Sequence, residues 1–184
     1  HLLLVSRIGT PYDPASGQGV VGRNYAYQLS SSGNVTCKEL LNPFMGAGAL
    51  GQVVDDFNGD NFDHAGKGFI GGGYIALWNT GGRPILQEYL PKGTPKWGSG
   101  WKKAVHEDYL SSTHMQCHGA VMSYRDNYLD LDPTWKDEYG NPLLRLTFTF
   151  GQNEHAMSKF LTEQATRIAQ AIPNRGINSK PREG

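Results

Sequence analysis

The sequence has little charge, few cysteines and no long hydrophobic run. Charged residues make up 18% of the 184 residues, against a usual share of about 25%. Seventeen basic residues balance 17 acidic ones, so the formal net charge is zero. This balance argues against a polycationic nucleic-acid-binding protein and against an acidic disordered tail. The apolar runs are also far shorter than the ~20 residues that a membrane-spanning helix needs.

Two cysteines, Cys37 and Cys117, are too few for a disulfide framework, although they could pair with each other. The sequence begins with His1, and residues 2–9 have the pattern of a helix end closed by Gly9. The tail 174–184 is polar. We therefore expect a segment of a longer protein, with a processed or recombinant N-terminus as the alternative.

Glycine is abundant, with 24 of 184 residues, roughly twice its usual share. Glycines and prolines dominate two long segments, 42–68 and 80–98, which we interpret as loops. Loops of that length inside a domain are usually functional or contact a partner. Residues 69–78 read as a strand whose glycines allow another backbone or a ligand to approach closely.

The apolar periodicity predicts an α+β fold. Leu144, Leu146, Phe148 and Phe150 alternate with polar residues, as in a strand with one apolar face. A stripe of apolar residues over 153–172 predicts a helix capped by Asn153, and a second helix is expected near 100–112. We predict a mixed, largely antiparallel sheet of five to six strands with helices packed on one face.

One glycine motif needs separate consideration. Residues 46–51 match Gly-x-Gly-x-x-Gly, which in dinucleotide sites holds a pyrophosphate at a helix N-terminus. Here Asn42-Pro43 precedes the motif in place of a buried strand, and the residues after it break any helix. We therefore attribute these glycines to chance or to the needs of local turns and not to a dinucleotide site.

Two metal hypotheses are weaker. Residues 56–63 alternate oxygen-bearing side chains as calcium loops do, but Asn61 stands where the loop's invariant glycine should be, and no Glu lies six residues further on. His106, His114 and His118 with Cys117 contain zinc-ligating residue types without a defined zinc spacing. We predict a solvated or partner-facing loop in the first case, and no metal site in either.

Three stretches carry a more specific signal, because they occur in one collinear order along nearly the whole chain. The first joins 2–9 (LLLVSRIG) and 19–24 (GVVGRN), and the second joins 42–46 (NPFMG), 55–64 (DDFNGDNFDH) and 69–74 (FIGGGY). The third joins 126–133 (DNYLDLDP), Asp137 and 139–143 (YGNPL). Together they resemble the glucose–methanol–choline oxidoreductase family, in particular its flavoprotein subunits of the gluconate 2-dehydrogenase type.

This resemblance implies an FAD-dependent enzyme that oxidises an alcohol or sugar hydroxyl. In the family a base, usually a His, takes the hydroxyl proton while hydride moves to flavin N5. The family's dinucleotide motif would precede this chain and its catalytic His/Asn pair would follow it, so no catalytic residue is expected here and the chain alone should be inactive. Residues 1–24 would be a remnant of the flavin domain, 25–172 the substrate domain, and 173–184 a linker back.

The resemblance also suggests which residues line the substrate pocket. After Gly-Arg-Asn the family commonly has Leu-x-Asp-His, whereas this chain has Tyr25-Ala26-Tyr27-Gln28. We expect Tyr27, Gln28 and Ser30 to orient a sugar, aldonic acid or polyol; the alternative is that they only pack the strand. A choline-like substrate stays open if Asp55 or Asp56 supplies a carboxylate.

The family resemblance implies several partners: the missing flavin domain of the same polypeptide, a small subunit and a cytochrome electron acceptor. It further suggests a bacterial periplasmic or membrane-associated location. The alternative from another class is a non-catalytic carbohydrate-binding or adhesion module. Its many Tyr and Trp side chains would stack on sugar rings.

Overall fold

A computed structural model describes residues 1–45, 49–79 and 90–182 of the chain. The chain folds as two compact units. The smaller unit comprises 1–27 and 121–151, and the larger unit comprises 28–120 and 152–183.

Over the described residues the chain forms α-helices, strands and two single turns of 3₁₀ helix. The helices are α1 (Leu2–Val5), α2 (Gly98–Asp108) and α3 (Gln152–Gln170). The strands are β1 (Leu29–Cys37), β2 (Ala49–Val54), β3 (Gly73–Asn79), β4 (Ser112–Gly119), β5 (Tyr128–Lys136), β6 (Pro142–Thr147) and β7 (Asn174–Lys180). The 3₁₀ turns are Pro43–Met45 and Gly59–Asn61.

The core of the larger unit lies between its sheet and α3. The sheet has five strands in the order β2-β3-β4-β1-β7, and all neighbours are antiparallel. Met157, Leu161, Ala165 and Ala169 recur every four residues and are fully buried, so one stripe of α3 faces the sheet. A Cβ on Gly33 of β1 would lie 3.2 Å from the Ala165 Cβ, so the absence of a side chain allows close helix–sheet packing.

The predicted fold class is confirmed: the protein is α+β with an antiparallel sheet and a long C-terminal helix. Helix α3 begins at Gln152, and the predicted cap Asn153 has another role. Its Oδ1 accepts a hydrogen bond of 2.8 Å from the Ile70 N–H, so it ties the 55–70 loop to the helix. Helix α2 ends at Asp108, earlier than predicted, and follows Trp97 with no side-chain cap.

Three strand predictions need correction. The sequence pattern predicts two short extended segments, 25–29 and 35–41, on either side of 30–33. The structure instead has one continuous strand, β1, in which Ser30, Ser31 and Ser32 pair with His118, Cys117 and Gln116. Strand β2 lies within the predicted 42–68 loop, and the strand expected from 69 begins at Gly73. Residues 80–89 of the second predicted loop are outside the described residues.

The polar tail also contains an unexpected strand. Strand β7 pairs with β1 at one edge of the sheet, from Ser32 opposite Lys180 to Cys37 opposite Asn174. Arg175 of β7 forms an ion pair of 2.7 Å with the buried carboxylate of Asp108. A strand at an edge tolerates polar side chains, which explains why hydrophobic periodicity gave no signal here. The role of 173–184 as a linker stays a prediction.

The smaller unit is built on the β5–β6 hairpin. The Asn127 side chain bonds both the N–H and the carbonyl of Thr149, at 2.8 and 3.0 Å. Gly22 adopts φ +93°, and a Cβ there would lie 2.0 Å from the Leu129 carbonyl oxygen. Any side chain would therefore clash in the GVVGRN stretch. Leu144 and Leu146, from the predicted apolar face of β6, are exposed within this structure.

The two cysteines do not pair. Both are buried and free. Cys117 lies opposite Ser31, six residues along β1 from Cys37, a separation of about 20 Å that no disulfide can bridge. In the part of the chain that the structure describes, no helix combines the length and apolar character needed to cross a bilayer.

Candidate functional site

The face of the large sheet opposite α3 carries a group of neutral polar side chains next to the buried Ala76 of β3. Residues directly opposite each other in an antiparallel pair share a face, and alternate residues of a strand do the same. His118 pairs with Ser30 on one side and with Tyr74 on the other. The residues that define this polar face are Ser30, Ser32, Asn34, Tyr74, His114, Gln116 and His118.

The alternating residues of the same strands form the core against α3. Leu29, Val35 and Met115 are buried, and the Cys117 thiol lies 3.7 Å from the Leu161 carbonyl of the helix. Burial raises the pKa of Cys117 to about 12, so the thiol stays protonated. Cys117 is therefore a packing residue on the opposite side of the sheet from His114 and His118.

Hydrogen bonds fix several side chains of the polar face. The Gln116 Nε2 donates to the Ser30 Oγ at 3.0 Å, between the two central strands. His114 Nδ1 lies 2.6 Å from Asn34 Oδ1. Since an amide oxygen only accepts, His114 donates through Nδ1–H. The cross-strand bonds hold the amide and imidazole groups in defined positions.

Both histidines of the polar face are neutral at pH 7. The pKa of His114 is lowered to about 4, first by burial and then by the nearby His118. Burial also lowers the pKa of His118. A neutral imidazole both donates and accepts hydrogen bonds, whereas a protonated one only donates. These two rings therefore give the polar face groups that both donate and accept hydrogen bonds, as a hydroxyl does, and that carry no charge.

His118 has an unused polar atom. Only 9% of the residue is exposed, and its ring stacks on Tyr74 with centroids 5.1 Å apart. Its Nδ1 is buried and has no hydrogen-bond partner among the described residues. Leaving a buried polar group unpaired costs about 1–3 kcal/mol. Such an exception marks a candidate site of function.

The predicted pocket residues divide between the two units. Ser30 lies on the polar face, half-buried and bonded to Gln116. Gln28 is exposed and precedes β1. Tyr27 belongs to the smaller unit, where it is 54% exposed and contacts Phe148 edge-on. Their role in substrate binding stays a prediction.

Sequence reasoning missed His114, Gln116 and His118 as members of one site. The signal was the two-residue spacing in STHMQCHG, which puts the three side chains on one strand face. The metal hypothesis grouped these histidines with Cys117 and His106. Pleating directs Cys117 to the other face, and His106 lies on α2. The described residues contain no group of three potential ligands.

The described residues do not fit the pyrophosphate of a dinucleotide cofactor. Gly46 to Gly48 of the glycine motif are outside the described residues, but the chain continues directly into strand β2. A pyrophosphate site of the dinucleotide type needs a helix N-terminus after the glycine turn. The pyrophosphate of a flavin in the whole protein would therefore be held by residues other than these.

One curated protein provides a close comparison. The chain is 48% identical over 178 residues to the gluconate 2-dehydrogenase flavoprotein of Pantoea cypripedii. The match covers 94% of this chain but 28% of that protein. No protein-family model matches the chain. The chain is thus similar, along nearly its whole length, to one part of a flavoprotein dehydrogenase.

Proposed function

We propose that this chain is the substrate-binding part of an FAD-dependent dehydrogenase that oxidises a CH–OH group of a sugar, aldonic acid or polyol. The observation that carries the proposal is the polar face, a layer of fixed neutral donors and acceptors on the side of the sheet not covered by α3. The similarity to a gluconate 2-dehydrogenase flavoprotein supports the flavin-linked chemistry.

Hydroxylated ligands suit this face for a physical reason. Each hydroxyl both donates and accepts, as do the serine hydroxyls, the Gln116 amide and the neutral imidazoles. A site of such groups rejects an analogue without hydroxyls, because its own polar atoms would then stay unpaired. His118 Nδ1 is already such an unpaired polar atom among the described residues.

In this proposal the other residues predicted from the sequence also bind the substrate. Ser30 contributes from the polar face and Gln28 from the position just before β1, whereas Tyr27 contributes as a residue of the smaller unit. The chain supplies orientation, and the rest of the polypeptide supplies the flavin and the catalytic base. A small subunit and a cytochrome are the proposed partners in electron transfer.

Anaerobic reduction of the full-length protein tests this proposal. The purified flavoprotein is mixed with D-gluconate, D-glucose, D-glucitol or ethanol, and the loss of oxidised-flavin absorbance is followed. We expect reduction by a polyhydroxylated compound and none by ethanol. Gln116→Leu should raise the KM for that compound, whereas Gln170→Leu, at the exposed end of α3, should not. Absence of reduction by every hydroxylated compound would contradict the proposal.

Exposed aromatic side chains favour a second function, a carbohydrate-binding module. Trp135 and Tyr139 of the hairpin are 69% and 81% exposed, and both rings are available for stacking on sugars. In that case the 184-residue chain alone would bind oligosaccharides. Trp135→Ala should then abolish binding measured by calorimetry, and Gln116→Leu should leave it unchanged.

A further inference from the structure

A single lysine lies at the edge of the polar face. Lys180 is the last residue of β7 and pairs with Ser32 of β1. Paired residues share a face, so Lys180 lies on the same side of the sheet as Ser32, Gln116 and His118. The residue is exposed. The polar face therefore has an ammonium group beside its neutral donors and acceptors.

Among the described residues, no carboxylate forms an ion pair with this ammonium group. The ion pairs among the described residues join Lys103 to Glu107, Arg145 to Asp130 and Arg175 to Asp108. None involves Lys180. Within the described parts of β1, β3, β4 and β7, no Asp or Glu occurs at all. These four strands thus offer the cation hydrogen-bonding groups and no negative charge.

The spacing suits an elongated ligand with one charged end. Lys180 of β7 and Gln116 of β4 are separated by two strand spacings, with β1 between them. Their backbones therefore lie about 10 Å apart across the sheet. His118 is one further pair along β4, at a distance of about 12 Å. The flexible four-carbon stem of lysine shortens these distances. A short polyhydroxylated chain can thus span from the ammonium group to the amide and imidazole groups.

We propose that Lys180 binds the carboxylate of a sugar acid whose hydroxyls lie along Ser32, Gln116 and His118. This inference rests on the proposed function, because it assigns the substrate to the same face. Among the substrates named in the proposed function, the inference favours the sugar acid over the neutral sugar or polyol. Lys180 would then be a specificity-determining residue. An ammonium–carboxylate contact is also stronger than a bond between neutral groups.

Two compounds that differ in the carboxylate test the inference on the full-length flavoprotein. D-Gluconate and D-glucitol share a six-carbon hydroxylated chain, but only gluconate carries a carboxylate. Lys180→Gln should lower kcat/KM for gluconate roughly 10- to 100-fold, mainly through KM. The value for glucitol should stay within about twofold. Salt should raise the KM for gluconate in the wild type and much less in Lys180→Gln.

The controls separate this inference from the proposed function. Lys136→Gln removes an exposed lysine from the end of β5 and should change neither substrate. Equal losses with gluconate and glucitol, or no loss with either, would show that Lys180 does not bind the carboxylate while the dehydrogenase proposal stands. If the wild type oxidises neither compound, the dehydrogenase proposal fails. Calorimetry of gluconate binding to the wild type and to Lys180→Gln still decides the role of Lys180.

Discussion

At the scale of single residues, the polar face depends on histidines that stay neutral. His114 donates to Asn34 through Nδ1 and is 7% exposed. Burial opposes protonation, since a buried imidazolium loses its hydration. The same burial couples the charge state of this ring to folding, so the stability of the larger unit should depend on pH.

His114→Gln should reduce the loss of stability in acid. The folded pKa of about 4 lies below the ordinary value of 6.5, so the unfolded chain takes up the proton first as the pH falls. The neutral ring therefore contributes its full stabilisation above pH 6.5 and loses it as the pH falls towards 4. The shift corresponds to about 3 kcal/mol. Urea unfolding at a series of pH values measures the difference.

His106 provides the matched control for this prediction. It is exposed on α2, so His106→Gln should leave the pH profile of the wild type unchanged. Gln at position 114 can still donate to Asn34, which keeps the cross-strand bond in the variant. A profile that is the same for wild type and His114→Gln would show that this ring does not control the acid sensitivity.

Gln28→Leu tests the predicted pocket residue just before β1. Removing a neutral hydrogen-bonding group from a substrate contact should cost about 1–3 kcal/mol of transition-state stabilisation. In the full-length enzyme kcat/KM for a polyol should fall, and that for a simple primary alcohol should change less. Equal losses on both substrates, or none, would remove Gln28 from the pocket.

The sequence predicted only part of the candidate site. Ser30 was identified from a family resemblance, and it lies on the polar face. His114, Gln116 and His118 were not grouped, because the sequence pattern indicates a strand over 116–123, whereas the observed strand β4 is Ser112–Gly119 and begins four residues earlier. The register between β4 and β1 brings these residues beside Ser30, Ser32 and Asn34. A single sequence contains no direct signal for such non-local pairing.

At the scale of elements, the contact between α3 and the sheet organises the larger unit. Leu161 is 1% exposed, and its Cδ1 would lie 2.8 Å from a Cβ on Gly73 of β3. Its carbonyl also accepts the Cys117 thiol from β4. Leu161 alone thus contacts two neighbouring strands, β3 and β4, and it packs against β3 where that strand has Gly73.

Leu161→Ala should therefore destabilise the protein strongly. Truncating a buried leucine removes apolar burial and leaves a cavity, at a cost of about 2–5 kcal/mol. Lys159→Ala is the control on the same helix, because Lys159 is exposed, and its effect should lie within about 0.5 kcal/mol. Urea unfolding of both variants measures the difference. A small effect of Leu161→Ala would show that α3 contributes little to the core.

The accuracy of the fold prediction varied with the type of element. Helix α3 and the antiparallel sheet followed from local periodicity, since each buries one side. Strand β1 was interrupted in the prediction because Ser30 to Gly33 has turn composition. The Ser30 Oγ accepts a hydrogen bond from Gln116 of β4, the Ser31 Oγ accepts one from Thr162 of α3, and Gly33 lies beneath Ala165. Strands β2 and β7 lie at the sheet edges, where partner strands decide the conformation more than composition does.

At the scale of the whole molecule, the described residues of the larger unit form a polar face but no glycine turn followed by a helix N-terminus. The glycine motif leads into β2, and the described residues contain no helix that starts directly after it. The similar protein is much longer, since this chain spans 28% of its length. Substrate orientation and cofactor binding are thus assigned to different stretches of the sequence in our proposal.

The 184-residue chain alone should therefore bind no flavin tightly. In the common dinucleotide-binding folds, a glycine turn at a helix N-terminus binds the phosphate groups of the cofactor. The described residues offer no such turn to the phosphate groups of FAD. Purified chain mixed with FAD and desalted should be colourless, with no visible flavin absorbance. The full-length protein, prepared in the same way, is the positive control and should keep one flavin per molecule. A stoichiometric yellow complex of the short chain would contradict this division, because the residues described would then hold the cofactor themselves.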